Sequence, residues 1–382
     1  MPAFHHGISA QELNQGIMPM RNANVSVIGL VVTSTDADAV QYPLDIPVLL
    51  TGITQDHIDK AGTDGTLRDC LQTIRDIHNP TVIVLRVTDL ADVDSLDILL
   101  NCPTLFGLMP KRLGAPNLDT PAVVAKLATI AKRRRGMVYA SPRSPEGAIL
   151  TDVAAITAYR DTIGDREVCI IDNEWLDTVT GVDTVKTKPI IATALAMRAL
   201  IDEKYPASFT KSISNIPVPG ITGIAQPRTW DLEDPNTEVG YLNANEVTSV
   251  IQHEGFRFWG NRTCSSDPRF AFETATLTAQ WMLDTIIWGC FPFIDQPMTV
   301  VLVQDIIDSI NAKLRATVSK DWLIGASAWY NAEYNNPQDL SQGLLWIDYD
   351  YTPVPTLENL GLNQRITDRY LVDFGKLIAQ GA

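Results

Sequence analysis

The sequence predicts a multidomain protein of the α/β plus α+β class, with a large α/β layer, a smaller α+β unit and an extended strand-like arm at each end. Three observations carry this. Apolar, β-branched runs alternate with helical stripes from about residue 45 to 205, the rhythm of β-α-β units. A stretch at 206–245, with Pro217, Pro219, Pro227 and Pro235, breaks that rhythm, and long helices and alternating strands follow it. The two ends read as β-capable segments outside the compact units, and lone strands cannot satisfy their edge groups by themselves.

The elements follow in order. Residues 1–24 are polar, with Gly7, Gly16 and Pro19, and read as an arm. Val25 to Val32 and Pro47 to Leu50 are buried strands, and Pro80 to Val87 is a continuous apolar strand of the kind covered on both faces. Between them Leu67, Cys70, Leu71, Ile74 and Ile77 make a helical stripe. Leu105 to Met109 reads as a strand. A helix opens at Asp119-Thr120-Pro121 and runs to Arg134, with its cations at the end the dipole favours and Gly136 as its stop. Met137 to Ala140 is a strand, Ala148 to Asp161 a helix, Glu167 to Asp172 a strand and Pro189 to Glu203 a helix.

Beyond the irregular segment, Phe256 to Gly260 is a strand, Arg269 to Trp288 a long helix, and Val300 to Val318 a helix with Val303, Ile306, Ile307, Ile310, Leu314 and Val318 on one face. Leu323 to Tyr330 and Leu344 to Tyr351 are strands, the second with Leu345, Ile347, Tyr349 and Tyr351 facing one way. Leu357 to Phe374 reads as extended, with Ile366, Tyr370, Val372 and Phe374 on one side. The expected organisation is an arm at 1–24, one large unit at 25–250, a second at 251–355 and a tail at 356–382.

Composition narrows the function. The chain has 382 residues, 45% of them apolar and 20% charged, which is a globular composition. A formal charge of -15 argues against binding nucleic acid or anionic membranes, because both depend on clustered cations. Cys70, Cys102, Cys169, Cys264 and Cys290 are odd in number and scattered, which predicts free thiols from a reducing compartment. The start lacks a basic segment followed by an apolar run, so no signal peptide is expected, and no run reaches the roughly 18 apolar residues of a membrane helix.

Chemical motifs are sparse. Neither GxGxxG nor GxxxxGK[ST] occurs, so no phosphate-cradling loop and no cofactor is expected. There is no G-x-S-x-G elbow and no HExxH. Asp172 and Glu174 end a strand, where α/β folds place ligands, and with His253 they define the rival reading, an α/β enzyme with an acidic site. The plainer account is a capping or solvated-edge role at a strand end. Lys132 to Arg135 is the one dense basic run, best read as a solvated helix end or a contact with an acidic neighbour. The most unusual stretch is Phe256-Arg257-Phe258-Trp259-Gly260-Asn261-Arg262-Thr263, which reads as a packed strand end with Arg262 stapling the turn.

That stretch, the Ser265-Ser266-Asp267 after it, the long helix beyond, Pro47 to Leu50, the passage from Leu67 to Val87 and the closing Thr352 to Phe374 resemble, in the same order, the contractile tail sheath family in its P2-like bacteriophage and R-type pyocin branch. The resemblance implies a non-enzymatic structural subunit that polymerises helically around a tail tube and contracts to drive the tube through a bacterial envelope. It implies an inner C-terminal domain against the tube, outer domains radiating from it, and arms that augment sheets of neighbouring copies. Implied partners are other copies of the chain, the tube protein, the baseplate and the tail terminator, in a virion tail or phage-tail-like particle, with neither nucleic acid nor membrane bound. Carried over by position, Gly7, Ile8, Ile17, Ile366, Tyr370, Val372 and Phe374 belong to the exchanged arms. Lys313, Arg315 and Lys320 belong to the tube-facing helix, and Phe256, Phe258, Trp259, Gly260, Asn261 and Arg262 form the family signature. A non-contractile coat or adhesive protein is the third reading.

Overall fold

The computed structural model describes Met20 and residues 26–89, 92–178 and 185–381. Among these, eight strands form one sheet: β1 (Ile28–Thr33), β2 (Val48–Leu50), β3 (Val82–Val87), β4 (Arg112–Gly114), β5 (Met137–Ala140), β6 (Val168–Ile171), and, much later in the chain, β10 (Val247–Gln252) and β11 (Phe256–Trp259). The spatial order is β11-β10-β6-β5-β4-β1-β3-β2. All neighbours are parallel except the two edges, where β2 and β11 run antiparallel to β3 and β10.

Strand periodicity divides the core in two. Ile28, Leu30 and Val32 of β1, with Val82 and Val84 of β3, enter one core. Val31, Ile83, Leu85 and Val87 enter the other. The second core is closed by a 3₁₀ helix at 93–101, α4 (Pro121–Arg134) and α5 (Val153–Asp161). The first is closed by α2 (Leu67–Ile77), which follows the short α1 (Gln55–Asp59), and by α6 (Ile190–Lys204). It continues onto α8 (Glu273–Cys290) and α9 (Val300–Val318). Because α6 lies under the sheet and against α2, it is buried nearly all round, down to Arg198.

A hairpin of β7 (Trp175–Thr178) and β8 (Val185–Lys188), joined by β9 (Gly223–Ile224), makes a small antiparallel sheet beside the large one. The irregular segment also contains α7 (Glu238–Ala244), begun by the Thr237 hydroxyl accepting from the Gly240 N–H. After α9 come β12 (Leu323–Tyr330), α10 (Pro337–Ser341), β13 (Ile347–Pro353), a tail without regular structure at 354–368, and α11 (Leu371–Gln380). β12 and β13 pair antiparallel, with Ala328 opposite Tyr349.

Several expectations are corrected. Leu105 to Met109 is not a strand: Pro103 in the first turn and Gly107 in the left-handed region (φ 68°) frame the helix α3 (Cys102–Phe106), and the strand comes later, at β4. The left-handed stop of α4 is Arg135 (φ 55°), not Gly136, and an ion pair with Asp284 holds it there. Helix α8 starts at Glu273 because Pro268–Phe270 form a 3₁₀ turn and Phe272 is extended. The expected border at 250 cuts the β10–β11 hairpin, so the chain leaves the large sheet after Trp259. The segment from Leu371 on is helical rather than extended, since Phe374, Leu377 and Ile378 recur with helical spacing and no strand among the described residues pairs with them.

Helix α8 is bound to the sheet by buried ionic contacts. Asp284 takes Lys111, at the start of β4, and Arg135 (2.5 Å). Glu273 accepts from the Tyr139 hydroxyl (2.5 Å) and lies 4.0 Å from Arg198. Asp202 holds both Arg198 (2.8 Å) and Arg112 (2.7 Å). Four cysteines are buried and Cys290 is half-buried; burial pushes the Cys264 thiol up to about 12 and Cys290 to about 11.

Candidate inter-subunit surfaces

The signature segment sits where the large sheet gives way to the C-terminal unit. Phe256 and Phe258 meet the buried Trp175 edge-on, at 6.0 and 5.5 Å, and Trp259 meets Trp230 at 5.5 Å. Gly260 has φ 140°, and a Cβ there would lie 2.7 Å from the Cα of Thr248, so only glycine lets the chain turn against β10. The Asn261 carbonyl accepts from the Glu273 N–H (2.9 Å) and so helps to start α8. Arg262 does not staple its own turn. Its guanidinium grips Glu358 with two parallel bonds, 2.9 and 2.6 Å, and stands 5.2 Å from the Phe272 ring. Thr356 is tied nearby, 2.9 Å from the Thr274 hydroxyl. The root of the tail is therefore fastened to the start of α8. It walls a groove of about 590 Å³ with Trp230, Trp259 and the acidic turn Asp231 to Asp234.

Beyond Glu358 the tail stands in solvent: Ile366 is 100% exposed, and Tyr370 and Phe374 are exposed as well. Val372 lies in α11. Gly7, Ile8 and Ile17 lie outside the described residues.

The hairpin β12–β13 bears no third strand on either edge among the described residues. One face packs on α9, with Leu323 and Ala328 buried and Ile347, Tyr349 and Tyr351 against the same core. The alternation expected for β13 is present. The two edges differ. The Asn311 side chain of α9 donates to the Ala328 carbonyl (2.8 Å) and accepts its N–H (2.9 Å), occupying the groups of β12 that point away from β13. In an antiparallel pair the groups of the opposed Tyr349 then point outward as well, on the β13 side.

The three cations assigned to a tube-facing helix diverge. Arg315 and Lys320 are exposed, Lys320 lying 4.8 Å from the Trp322 ring. Lys313 is turned inward: it is half-buried, donates to the Met20 carbonyl (3.0 Å), lies 5.6 Å from the Trp281 ring, and burial pulls its pKa down. The outward face at the start of α9 is apolar, with Val300 and Val301 exposed beside Ile294 and Phe291.

The acids of the rival reading do not converge. Asp172 is buried on Arg228 at 3.0 and 3.1 Å. Glu174 accepts from the Ile190 N–H (2.9 Å) and lies 3.7 Å from Arg143, and burial pushes it up to about 7. Arg143 is itself held by Asp119 (2.6 Å), Asn117 (2.8 Å) and the Gly147 carbonyl (3.0 Å). His253 is exposed beside Trp230. Glu174 meets a backbone N–H at the start of α6, as the capping account expects, whereas Asp172 is buried in an ion pair rather than at a solvated edge. Three cations of the basic run have partners within the chain, Lys132 on Asp165 (2.5 Å), Arg134 on the Leu100 carbonyl (2.8 Å) and Arg135 on Asp284, and Arg133 is exposed. Sequence reasoning passed over Asp284, although a lone acid inside an apolar helix is itself a sign of a buried partner.

Residues 265–367 match the family model described as phage tail sheath C-terminal domain. The chain is 39% identical to the tail sheath protein of Escherichia phage P2 over 98% of both chains, and 35% identical to the major tail sheath protein of Serratia phage KSP20 over 96% of both. In fold it is similar to the helical sheath of the anti-feeding prophage in its contracted state (TM-score 0.74, 14% identity, 94% of this chain and 98% of that one). It is likewise similar to the contracted sheath complex of the extracellular contractile injection system PVC (TM-score 0.75, 12% identity, 96% and 98%).

Proposed function

This chain belongs to the contractile tail sheath family, and from that premise we propose which of its surfaces build and drive the polymer. It is the sheath subunit of a virion tail or phage-tail-like particle, a structural component. We assign it no catalytic step: the acids that could have formed a site are committed to Arg228, Arg143 and the Ile190 N–H.

The observation that carries the assembly reading is the hairpin β12–β13, which bears no third strand among the described residues, together with a tail whose described side chains beyond Glu358 are exposed. A two-stranded sheet leaves a row of unpaired N–H and C=O groups, and an extended segment of another copy satisfies them by strand addition. Residues 1–19 of one neighbour and the stretch after Glu358 of another supply those strands. The open edge of β13 accepts first, because addition to β12 must displace Asn311 from Ala328. In this reading α11 unwinds, at least in its first turn, so that Tyr370, Val372 and Phe374 can lie in a strand. An exposed ten-residue helix is marginal by itself, so that cost is small.

The inner unit starts near residue 263, after the signature has left the large sheet, rather than at 251; the match of 265–367 to a C-terminal domain supports that border. The outer unit is the eight-stranded sheet with its helices. Arg315 of α9 and Lys320 just beyond it are exposed cations available to a tube, and exposed ion pairs worth about 0–1 kcal/mol each suit a contact that must release. The tail tube and tail terminator are the further partners, with the baseplate at one end. Contraction needs no nucleotide when each subunit has two packings: differences of roughly 1–3 kcal/mol per copy sum over a long polymer.

Electron microscopy of the purified chain tests the reading. Helical tubes or striated sheaths are expected, and particles caught in long and short forms separate a contractile sheath from a static coat. Removal of residues 1–19 or 359–382 is expected to leave soluble, folded subunits that do not polymerise. Unchanged tubes after both deletions overturn the arm assignment.

A further inference from the structure

Met20 is the one described residue of the first 25, and it is not in solvent: its side chain is 8% exposed and lies against Gly289 in the last turn of α8. The backbone does not require glycine there, since Gly289 is absent from the positions with positive φ. Space does. A Cβ at 289 would lie 2.4 Å from Cγ and 2.5 Å from Sδ of Met20. Glycine inside a helix costs about 1 kcal/mol relative to alanine, so this one is kept for the contact it permits.

A second tie comes from α9. Lys313 reaches the Met20 carbonyl (3.0 Å), with its ammonium 5.6 Å from the Trp281 ring. Trp281 is fixed by stacking on Phe209 at 4.2 Å and by edge contact with Trp322 at 6.3 Å. The seat is thus built from a notch, a cation and an aromatic floor on two helices of the inner unit, whereas the chain re-enters the large sheet only eight residues later, at Ile28.

We propose that Met20, Gly289 and Lys313 form a mooring that makes the inner unit, not the sheet strand β1, the origin of the N-terminal arm. The proposal rests on the arm reading above and adds where the arm starts. Residues 1–19 precede the mooring, a length of chain that spans at most roughly 65 Å when extended. The mooring fixes the direction of departure beside α8 and α9, against which β12 packs. Fixing the origin of a tethered strand raises its effective concentration at the neighbouring hairpin, as any short tether does. It also gives Lys313 a role in assembly through Met20 rather than through the tube.

The test is a reversible lock. A Cβ at 289 lies 3.0 Å from the Met20 Cβ, close to the roughly 3.5–4.5 Å that a disulfide spans. Met20→Cys with Gly289→Cys, in a Cys290→Ser background, is oxidised as soluble subunit and then placed under polymerising conditions. The expected result is an intramolecular crosslink and tubes that form equally well with or without reductant. Failure of the crosslink to form, or locked subunits that assemble only after reduction, overturns the mooring. In the same assay Gly289→Leu and Lys313→Met should raise the concentration needed for tubes by about tenfold or more, while Lys313→Arg keeps it near the parent value. Removal of residues 1–19 with Met20 kept separates the two ideas. Tubes that persist there overturn the arm reading, whereas lost tubes combined with a lock that blocks assembly overturn only the mooring.

Discussion

At the scale of single residues, several buried charges are held in ion pairs. Asp284 is the clearest case, an acid on a buried face of α8 that neutralises Lys111 and Arg135. Asp284→Ala leaves Lys111 buried without its partner, and should cost about 3–5 kcal/mol in chemical denaturation. Glu174 gives a pH signature. Burial raises it from 4.5 to about 7 in the fold, with Arg143 and Asp119 as its charged neighbours. The folded state then binds more protons than the unfolded one between those values, so this residue makes stability fall as pH rises from about 4.5 to 7. Glu174→Gln, whose side-chain oxygen can still accept the Ile190 N–H, should flatten that part of a stability–pH curve measured by thermal melts. An unchanged slope would count against a buried, protonated Glu174.

At the scale of elements, the tail and the hairpin matter most. The Arg262–Glu358 pair ties the root of the tail to the body, and the side chains described beyond it are exposed. Truncation after Glu358 is therefore expected to leave the melting temperature of the soluble subunit within about 2 °C of the full chain, since little is buried there. Arg262→Ala should release the tail root, seen as faster proteolysis after residue 355, while the large sheet melts as before. Asn311→Ala removes two bonds that satisfy Ala328 and should cost about 1–3 kcal/mol. Because it also frees the β12 edge, aggregation of the soluble subunit is expected to rise, measurable by light scattering.

At the scale of the whole molecule, the two units are not loosely strung. Asp284, Glu273 and the Arg198–Asp202–Arg112 group connect α8 to the sheet through buried charge. The described residues that stand clear of the body are those of the tail after Glu358. On the proposed arm reading, a particle changes length by re-aiming arms and shifting contacts between copies, with each body kept intact. Hydrogen exchange on soluble subunits and on tubes should show the core of β1, β3 and α6 equally protected in both. Gained protection should fall on the edge of β13 and the arms.

The sequence by itself determined the class of fold, the order of most elements and the family. The continuous apolar runs of β1 and β3, the alternation in β13, the stripe of α2 and the helices α4, α6 and α9 are local patterns, and burial followed them. The segment from Phe256 to Arg262 was legible as unusual because few contexts need an aromatic strand end followed by Gly-Asn-Arg. Only the tertiary structure decided what those residues touch. Arg262 reaches Glu358 across 96 positions, Lys313 reaches Met20 across 293, and Asp284 reaches Lys111 across 173. No periodicity encodes such pairs, because they depend on how helices and sheet stack rather than on neighbours in the chain. The same reason explains the misplaced border at 250, the unforeseen strand β10 and the inward turn of Lys313. Local sequence states which face is apolar, and packing alone states which partner covers it.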